Sequence, residues 1–466
     1  MKPVLWILAV GLAPRQIGAR TPHLLALSER GALAPMTAVL PAVTLSAQAT
    51  LYTGLLPRDH GVVGNGWYWP ELGEVMFWRQ PNALIRGPKV YERARERWPG
   101  FSAAKLFAWF NMGAKVDWSL TPRPFYPADG RKIPAVQSWP NSLAEELEAE
   151  LGTFPFFDFW GPRAGLPSSR WLTDAARLVL ARQKPTLTVV YLPHLDYDHQ
   201  RHGPDAPRSL AALTQLDDLI GDLVRAADAA GAATLVTSEY ALEAVDRAVH
   251  PNRALRAAGL LAVRDTPNGE MLDPIGSRAF AVSDHQVAHV YCRDASARLA
   301  AREVLENLAG VGEVLAGEAL REMGLDHPRS GSLVLVAKRG AWFTYYYWIE
   351  RASAPDFAPT VDIHRKPGYD PAELFVDPGI SMPKLHVARR LAQKKLGMRY
   401  LMDVIPVHAD MVKGSHGRLP ERPEEGPVFL CSEPFEHCGG PPAAGVVPMT
   451  SVADRVLALI AREKTT

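Results

Sequence analysis

The chain has 466 residues, of which 47% are hydrophobic and 22% are charged, a balance typical of a globular protein with a large core. With its formal net charge of +1, the composition shows no excess of basic residues of the kind by which proteins bind nucleic acid polymers or acidic membranes. We therefore expect a small molecule as its partner.

Short apolar runs with strand composition alternate along the chain with amphipathic helical patterns. The runs are VLWILAVGL, TLTVVYLP, ATLVTSEY, AHVYC and SLVLVAKR, and one helical pattern covers residues 209–232. This alternation predicts an α/β fold with a mostly parallel central sheet and helices on both faces. Ligands of such folds collect at the carboxyl ends of the strands.

Two segments interrupt the alternation within a chain that we interpret as a single domain, residues 1–466. Residues 66–170 are rich in Trp, Pro and Phe and are interpreted as an aromatic-rich cap insertion. Residues 343–405, which include a basic helical pattern, form the second predicted insertion.

The N-terminal apolar run stops at Gly11 and Pro14, short of the ~20 residues of a transmembrane helix. We interpret it as a buried first strand and predict no transmembrane segment. Cys292, Cys431 and Cys438 show no C-x-x-C spacing, which is typical of a reducing compartment. The predicted location is cytoplasmic.

Acidic and imidazole side chains follow the predicted strands. Asp196, Asp198, His199 and His202 come after TVVYLP, Glu239 comes after TLVTS, and His416 lies between two glycines in VKGSHGR. Such residues converging from several strand ends indicate a divalent metal site. A hydrogen-bonded surface pair is the alternative for Asp198, His199 and His202, whereas the sharp boundaries at Asp196 and His416 favour function.

Residues 41–65, PAVTLSAQATLYTGLLPRDHGVVGN, resemble the nucleophile segment of the type I phosphodiesterase/nucleotide pyrophosphatase family. The family pattern P-x-x-T-x-x-x-x-x-T-L-x-T-G-x-x-P-x-x-H-G-[IV]-x-x-N matches without a gap. TPHLLALSERG, HPNRALRAAGLL and GSLVLVAKRGAWF are similar to further segments in the same order. The resemblance implies an alkaline phosphatase-like fold.

The resemblance also implies roles for individual residues. Thr44 would attack phosphorus and form a phospho-threonine that water hydrolyses, and a helix N-terminus there would favour its anion. Asn65 would donate to a phosphate oxygen. Thr50 and Thr53 lie further along the same helix and are expected to bond to its own carbonyls.

The metal ligands of the family are only partly present. The family holds two metal ions, and its early aspartate falls on Val10, its second histidine on Gln200, and its S-D-H turn on Ser238, Glu239 and Tyr240. The matched positions leave Asp196 and His416 for one ion and Glu239 with Thr44 for the other. We expect one divalent ion rather than two, zinc in the first place and manganese or iron as alternatives. The candidate additional ligands are Gln200, His199, His202 and His364.

The leading hypothesis is a metal-dependent phosphodiesterase or nucleotide pyrophosphatase that acts on a small phosphorylated substrate with an aromatic or apolar leaving group. A site rebuilt around other residues stays open, with two candidate clusters: Asp362, His364 and Asp370, or Asp284, His285 and His289. A catalytically degenerate member that binds a phosphorylated ligand without hydrolysis is the alternative from another class. A third hypothesis is a metal-free transferase in which Arg201 and Arg365 neutralise the phosphoryl group.

Overall fold

The computed structural model of the protein describes residues 1–128 and 132–462. Its strands are, in chain order, β1 (Val4–Ala9), β2 (Ala32–Pro35), β3 (Gly66–Trp69), β4 (Glu74–Phe77), β5 (Ala103–Leu106), β6 (Trp118–Pro122), β7 (Val136–Trp139), β8 (Leu187–Leu192), β9 (Ala233–Thr237), β10 (Glu243–Ala244), β11 (Arg247–Val249), β12 (Val263–Thr266), β13 (Gly269–Leu272), β14 (Ala279–Asp284), β15 (Val287–Cys292), β16 (Val311–Leu315), β17 (Leu333–Ala337), β18 (Ala341–Phe343), β19 (Gly414–Ser415) and β20 (Val428–Cys431). Its helices are α1 (Pro22–Arg30), α2 (Thr44–Thr53), α3 (Pro57–His60), α4 (Val90–Arg97), α5 (Ser142–Leu151), α6 (Leu166–Gln183), α7 (His194–His202), α8 (Pro207–Ala229), α9 (Pro251–Ala257), α10 (Ala295–Glu306), α11 (Glu318–Glu322), α12 (Pro383–Lys395) and α13 (Val452–Ala461).

The central sheet has eight strands in the order β2-β20-β9-β1-β8-β5-β6-β7. Strands β9, β1, β8, β5 and β6 pair in parallel, while β20 and β7 run antiparallel to their neighbours. Every residue of β1 is buried, as predicted for the first apolar run. Helices α6 and α8 pack together beside α1, and α13 packs with α2 and α4. The predicted α/β architecture with helices on both faces is confirmed.

A second sheet holds two of the strands that the sequence suggested for the central one. It is antiparallel, in the order β14-β15-β17-β16, and it contains the predicted AHVYC and SLVLVAKR runs. The alternation of strands and helices predicts parallel pairing for both runs, which is wrong here: the two strands pair antiparallel, and α10 and a separate hydrophobic cluster cover their sheet.

The predicted cap segment contributes to the central sheet as well as to its surroundings. Strands β5, β6 and β7 lie within residues 66–170 and extend the sheet beyond β8. The helical pattern at 209–232 corresponds to α8. Within the described residues, no helix is long and apolar enough to cross a membrane.

Candidate active site

Three neighbouring parallel strands bring the predicted residues to one edge of the sheet. Strand β1 leads to Val10, β8 leads through Pro193 into α7 with Asp196, and β9 leads to Glu239 and Tyr240. Because β1 lies between β8 and β9, their carboxyl ends are adjacent. The residues are all at least nine-tenths buried, so charge at this edge is desolvated.

Thr44 begins helix α2, as a nucleophile aided by a helix N-terminus requires. Its side chain is 3% exposed, and its Oγ1 lies 3.1 Å from the Oη of Tyr240. Thr53 Oγ1 donates to the carbonyl of Ala49, as expected. The expectation for Thr50 is wrong, because its Oγ1 bonds to Nε2 of His60 at 3.0 Å instead.

Asn65 fixes the start of α2. Its Oδ1 accepts from the backbone N–H of Leu45 at 3.0 Å, and its Nδ2 donates to Asp284 at 3.0 Å. The Asn65 backbone N–H also donates to Asp284 at 2.7 Å. This amide therefore positions the helix that carries Thr44, and its direct donation to a phosphate remains a prediction.

Asp196 lies in a network that Gln200 closes. Gln200 Nε2 donates to Asp196 Oδ2 at 2.7 Å, and Gln200 Oε1 accepts from the hydroxyl of Tyr369 at 2.7 Å. The Oη of Tyr240 lies 3.5 Å from Asp196 Oδ1. Burial raises the pKa of Asp196 to about 7, although the hydrogen bonds from Gln200 and Tyr240 lower it. Gln200 thus turns its only ligating atom away from Asp196.

His416 is buried, with 2% exposure. Its Nδ1 lies 2.8 Å from the carbonyl of Ala42, and its Nε2 lies 4.0 Å from Asp196 Oδ1 without a hydrogen-bond partner among the described residues. Burial lowers the pKa of His416 to about 3, so the imidazole is neutral and Nε2 is a free lone pair.

Four rings follow one another in contact beside Thr44, two of the pairs stacked and the His285–His416 pair tilted. The ring of His416 lies 3.5 Å from that of Tyr240 and 3.6 Å from that of His285, and His285 lies 3.6 Å from Tyr369. Sequence reasoning missed Tyr369 and the stacking role of His285. The turn that presents His285 holds it at a φ of 59°, a left-handed conformation that non-glycine residues rarely adopt.

Glu239 is held by a buried glutamine. Its Oε1 accepts from Gln48 Nε2 at 2.9 Å, while Gln48 Oε1 accepts from the Tyr52 hydroxyl and from the backbone N–H of Trp109. Burial raises the pKa of Glu239 to about 7. Gln48 was also missed, although its position four residues after Thr44 puts it on the same helix face.

The other predicted ligands form no hydrogen bond with this network, although His364 lines the same cavity as Thr44 and Asp196. His199 is fully buried, with neither ring nitrogen bonded within the described chain, and His202 lies at the surface 4.0 Å from Asp198. His364 faces the carbonyl of Phe77 at 3.3 Å. Tyr240 and Gln200, rather than these histidines, are hydrogen-bonded to Asp196.

The alternative clusters are accounted for by structural contacts. Asp370 pairs with buried Lys366 at 2.7 Å, and His289 bonds to the carbonyl of Val63 and the N–H of Gly331. Arg201 donates to backbone carbonyls, and Arg365, whose side chain is 64% exposed, lies beside Asp362. Neither arginine lines the cavity above Thr44.

That cavity has a volume of about 1170 Å³. Thr44, Asp196, Tyr240 and His285 lie in its lining, and aromatic rings form much of its wall, including Trp78, Trp109, Phe159, Trp160, Tyr197 and Tyr369. Arg79, Arg123 and Lys132 are its cationic lining residues. The site is therefore an aromatic cavity with a hydroxyl at the start of a helix and cations in its wall.

A two-ion centre does not fit these residues. Val10 has no donor atom, Gln200 is bonded at both ends, and burial raises the pKa of Tyr240 well above 10, which keeps the phenol neutral. Across residues 1–128 and 132–462, no three His, Cys, Asp or Glu side chains are arranged to hold a metal ion. Asp196 and His416 are the donor pair for one ion, one fewer than the three protein ligands of a typical catalytic zinc site. Glu239, predicted as a further ligand, keeps its Oε2 without a partner among the described residues.

Comparison with known proteins confirms the resemblance. The family model described as type I phosphodiesterase/nucleotide pyrophosphatase matches residues 4–370. The chain belongs to this family. The description of the family names phosphodiesterases and nucleotide pyrophosphatases.

An uncharacterized pyrophosphatase/phosphodiesterase of Schizosaccharomyces pombe is 25% identical over 207 residues, which are 44% of this chain and 36% of that relative. The match thus spans about a third of the relative's length. Phosphonoacetate hydrolase of Sinorhizobium meliloti 1021, solved in complex with phosphonoformate, shares the alkaline phosphatase-like fold of this chain. It is similar with a TM-score of 0.62 and 16% identity, covering 98% of this chain and 96% of that chain. Murine ectonucleotide pyrophosphatase/phosphodiesterase 5 in complex with AMP gives a TM-score of 0.57 at 14% identity, covering 100% and 96%.

Proposed function

We propose that the protein hydrolyses a small phosphoric ester or pyrophosphate by attack of Thr44 on phosphorus. The observation that carries this proposal is the position of the Thr44 hydroxyl at the first turn of α2, in the wall of a large aromatic cavity. A helix N-terminus stabilises both an alkoxide and the phosphoryl oxygens. Arg79 and Lys132, which also line the cavity, supply positive charge for the rest of the anion.

The hydrogen bonds around Thr44 define a path for its proton. As Thr44 Oγ1 bonds to phosphorus, its proton passes to the Tyr240 oxygen, and the Tyr240 proton passes towards Asp196. The bond from phosphorus to the leaving oxygen breaks, and the leaving group takes a proton from water. Water then attacks phosphorus, the bond from phosphorus to Thr44 Oγ1 breaks, and Thr44 takes its proton back from Asp196 through Tyr240. The proton that the attacking water releases neutralises the hydroxide left in the first step.

The shape of the cavity supports a substrate with a flat or apolar group beside its phosphate. Trp78 and Trp109 lie 4.9 Å apart in the wall, and aromatic faces of this kind stack on planar groups. Two proteins with the same fold were solved with small anions of related chemistry, phosphonoformate and AMP. We therefore propose a small phosphorylated substrate, and the predicted cytoplasmic location remains a prediction.

A second candidate, a binding protein without hydrolysis, is favoured by one observation. Gln200 bridges Asp196 and Tyr369, and Gln48 holds Glu239, so each of these two carboxylates is engaged by an amide at one of its oxygens. Without charge neutralisation beside phosphorus, attack on a phosphoryl dianion is slow.

Turnover of p-nitrophenyl phosphate and bis(p-nitrophenyl) phosphate distinguishes the candidates. If the protein is a hydrolase, Thr44→Ala reduces turnover by at least roughly 100-fold, and Thr44→Ser retains part of it. Thr53→Ala leaves turnover intact, because Thr53 forms hydrogen bonds only at the end of its own helix. Absence of turnover in folded protein, with saturable binding of phenyl phosphate, would establish the binding protein.

The same assay tests the single ion predicted from the sequence. Asp196 and His416 are the donors that would hold it, and it would supply neutralisation of the phosphoryl charge. Turnover is measured after chelation and after addition of zinc, manganese or iron. Restoration by one of these metals, lost in His416→Ala, supports the ion, whereas equal turnover in chelated protein contradicts it.

A further inference from the structure

Helix α12 is an amphipathic helix whose apolar side faces away from the protein. None of its residues is buried, whereas α10, of similar length, buries Ala297, Ala301 and Leu305. The orientation of α12 is the opposite of that expected for a surface helix, which turns its apolar stripe towards the core.

Polar side chains fasten α12 to the rest of its segment. His386 Nε2 lies 2.8 Å from Asp403, and Arg390 binds the same carboxylate through two nitrogens at 2.9 and 2.7 Å. Arg390 also bonds to Gln393. His386, Arg390 and Gln393 are spaced by four and three residues, so they share one helix face.

The opposite face is apolar. Leu385, Ala388, Ala392 and Leu396 follow a helical spacing of three, four and four residues and are all exposed. The side chain of Leu385 is 60% exposed and that of Leu396 is 75% exposed. Met382 and Met398, at 63% and 54%, extend the apolar surface beyond both ends of the helix.

The charge around this face has one sign. Residues 381–401 contain the cations Lys384, Arg389, Arg390, Lys394, Lys395 and Arg399 and no acidic residue, although the whole chain carries a net charge of only +1. On a helical projection, Lys384 and Lys395 lie on one side of the apolar stripe and Arg389 lies on the other. Cations that flank a narrow apolar stripe are the arrangement of helices that lie in the interface of an anionic bilayer.

We propose that α12 docks the protein on the surface of an anionic lipid bilayer. Leu385 and Leu396 enter the boundary between headgroups and acyl chains, and the flanking lysines and arginine contact the lipid phosphates. The helix lies parallel to the membrane plane and does not span it. The face that bonds to Asp403 stays on the protein side.

Vesicle sedimentation of the full chain tests this proposal. We expect binding to phosphatidylcholine vesicles in which roughly a third of the lipid is phosphatidylserine, and little binding to phosphatidylcholine alone. Lys384→Glu with Lys395→Glu is expected to lower the partition coefficient by at least roughly 30-fold, since each cation near the surface contributes about a factor of five. Leu385→Ser with Leu396→Ser is expected to abolish binding.

Matched controls use exposed residues elsewhere. Ile275→Ser with Leu299→Ser removes side chains that are 73% and 68% exposed, and Lys115→Glu with Arg208→Glu reverses two exposed charges; both are expected to leave binding intact. The proposal is overturned if the folded protein does not bind anionic vesicles at low ionic strength, or if the α12 variants bind them as well as the unchanged chain does. A dimer that Leu385→Ser with Leu396→Ser dissociates, without vesicle binding, would also overturn it by making a second copy the occupant.

Discussion

Tyr240 is the residue at which this site departs most from a metal centre. Its phenol takes the position where the family pattern has a histidine, bonds to Thr44, and stacks on His416 at an interplanar angle of 8°. Desolvation by burial, reinforced by nearby Asp196, raises the pKa of Tyr240. A neutral phenol relays a proton between neighbours but binds no cation.

His60 shows how helix α2 is fixed by a neutral imidazole. The backbone N–H of Val62 donates to its Nδ1 at 3.1 Å, so Nε2 carries the proton and donates to Thr50. Burial, together with nearby His327 and Arg329, lowers the pKa of His60 to about 3. Protonation of His60 would put an N–H at Nδ1, which would then face the backbone N–H of Val62.

The stability of the protein should therefore depend on pH through His60. Its pKa is near 6.5 in the unfolded chain and about 3 in the folded one, so between these values the unfolded state binds the additional proton. Its contribution is complete above pH ~6.5 and falls as the pH is lowered, by up to about 1.4 kcal/mol per unit.

Urea unfolding of the unchanged chain and of His60→Gln, measured from about pH 7 to pH 5, isolates this group. The difference in free energy of unfolding between the two proteins should shrink as the pH falls. A difference that is constant with pH would show that His60 titrates alike in both states.

At the scale of elements, the position of α2 depends on contacts at both of its ends. It begins at Thr44, where Asn65 holds the N–H of Leu45, and it ends at Gly54 with a φ of 75°. A Cβ on Gly54 would lie 2.8 Å from the carbonyl oxygen of Thr450. The glycine thus allows both a left-handed backbone and close packing against the residues that precede α13.

Gly54→Ala is expected to lower the free energy of unfolding by about 2–4 kcal/mol, because left-handed strain adds to a contact with rigid backbone. Gly100→Ala is the matched control, since Gly100 has a φ of 82° and no atom within 4 Å of an added Cβ; it should lose only roughly 1–2 kcal/mol. Equal losses in urea unfolding would show that the Thr450 contact is harmless.

At the scale of the whole molecule, the site exists because distant segments meet. Thr44 follows β2, Asp196 follows β8, Tyr240 follows β9, and His416 follows β19. Parallel pairing of β1 with both β8 and β9 aligns their carboxyl ends. Val10, Gln200 and Tyr240, which the resemblance places at metal-ligand positions, lie on or directly after these aligned elements.

We predict that a metal site can be built at these positions. Val10→Asp, Gln200→His and Tyr240→His together supply the ligand types of the family pattern, and the variant should retain up to about two zinc ions per chain after gel filtration. The unchanged chain should retain fewer, and adding Asp196→Asn to the variant should remove one ion. A folded variant that retains no more zinc than the unchanged chain would show that these positions do not converge.

Local patterns in the sequence were sufficient for much of this description. Continuous apolar runs predicted β1, β8 and β9, and the gapless match over residues 41–65 predicted the family. These features depend on neighbouring residues, because strand burial and helix starts are determined by local periodicity and backbone preference. The same patterns wrongly assigned β15 and β17 to the central sheet, because the apolar composition of a strand does not indicate which sheet it joins.

Only the tertiary structure decided which side chains engage one another at the site. The resemblance in the sequence predicted that Thr44 is the nucleophile and that Val10, Gln200 and Tyr240 stand where the family pattern has metal ligands. The partners of those side chains come from remote segments: Tyr369 bonds to Gln200 across 169 positions and Gln48 bonds to Glu239 across 191. Hydrogen bonds in a buried site depend on distance and angle in space, and sequence separation contains neither.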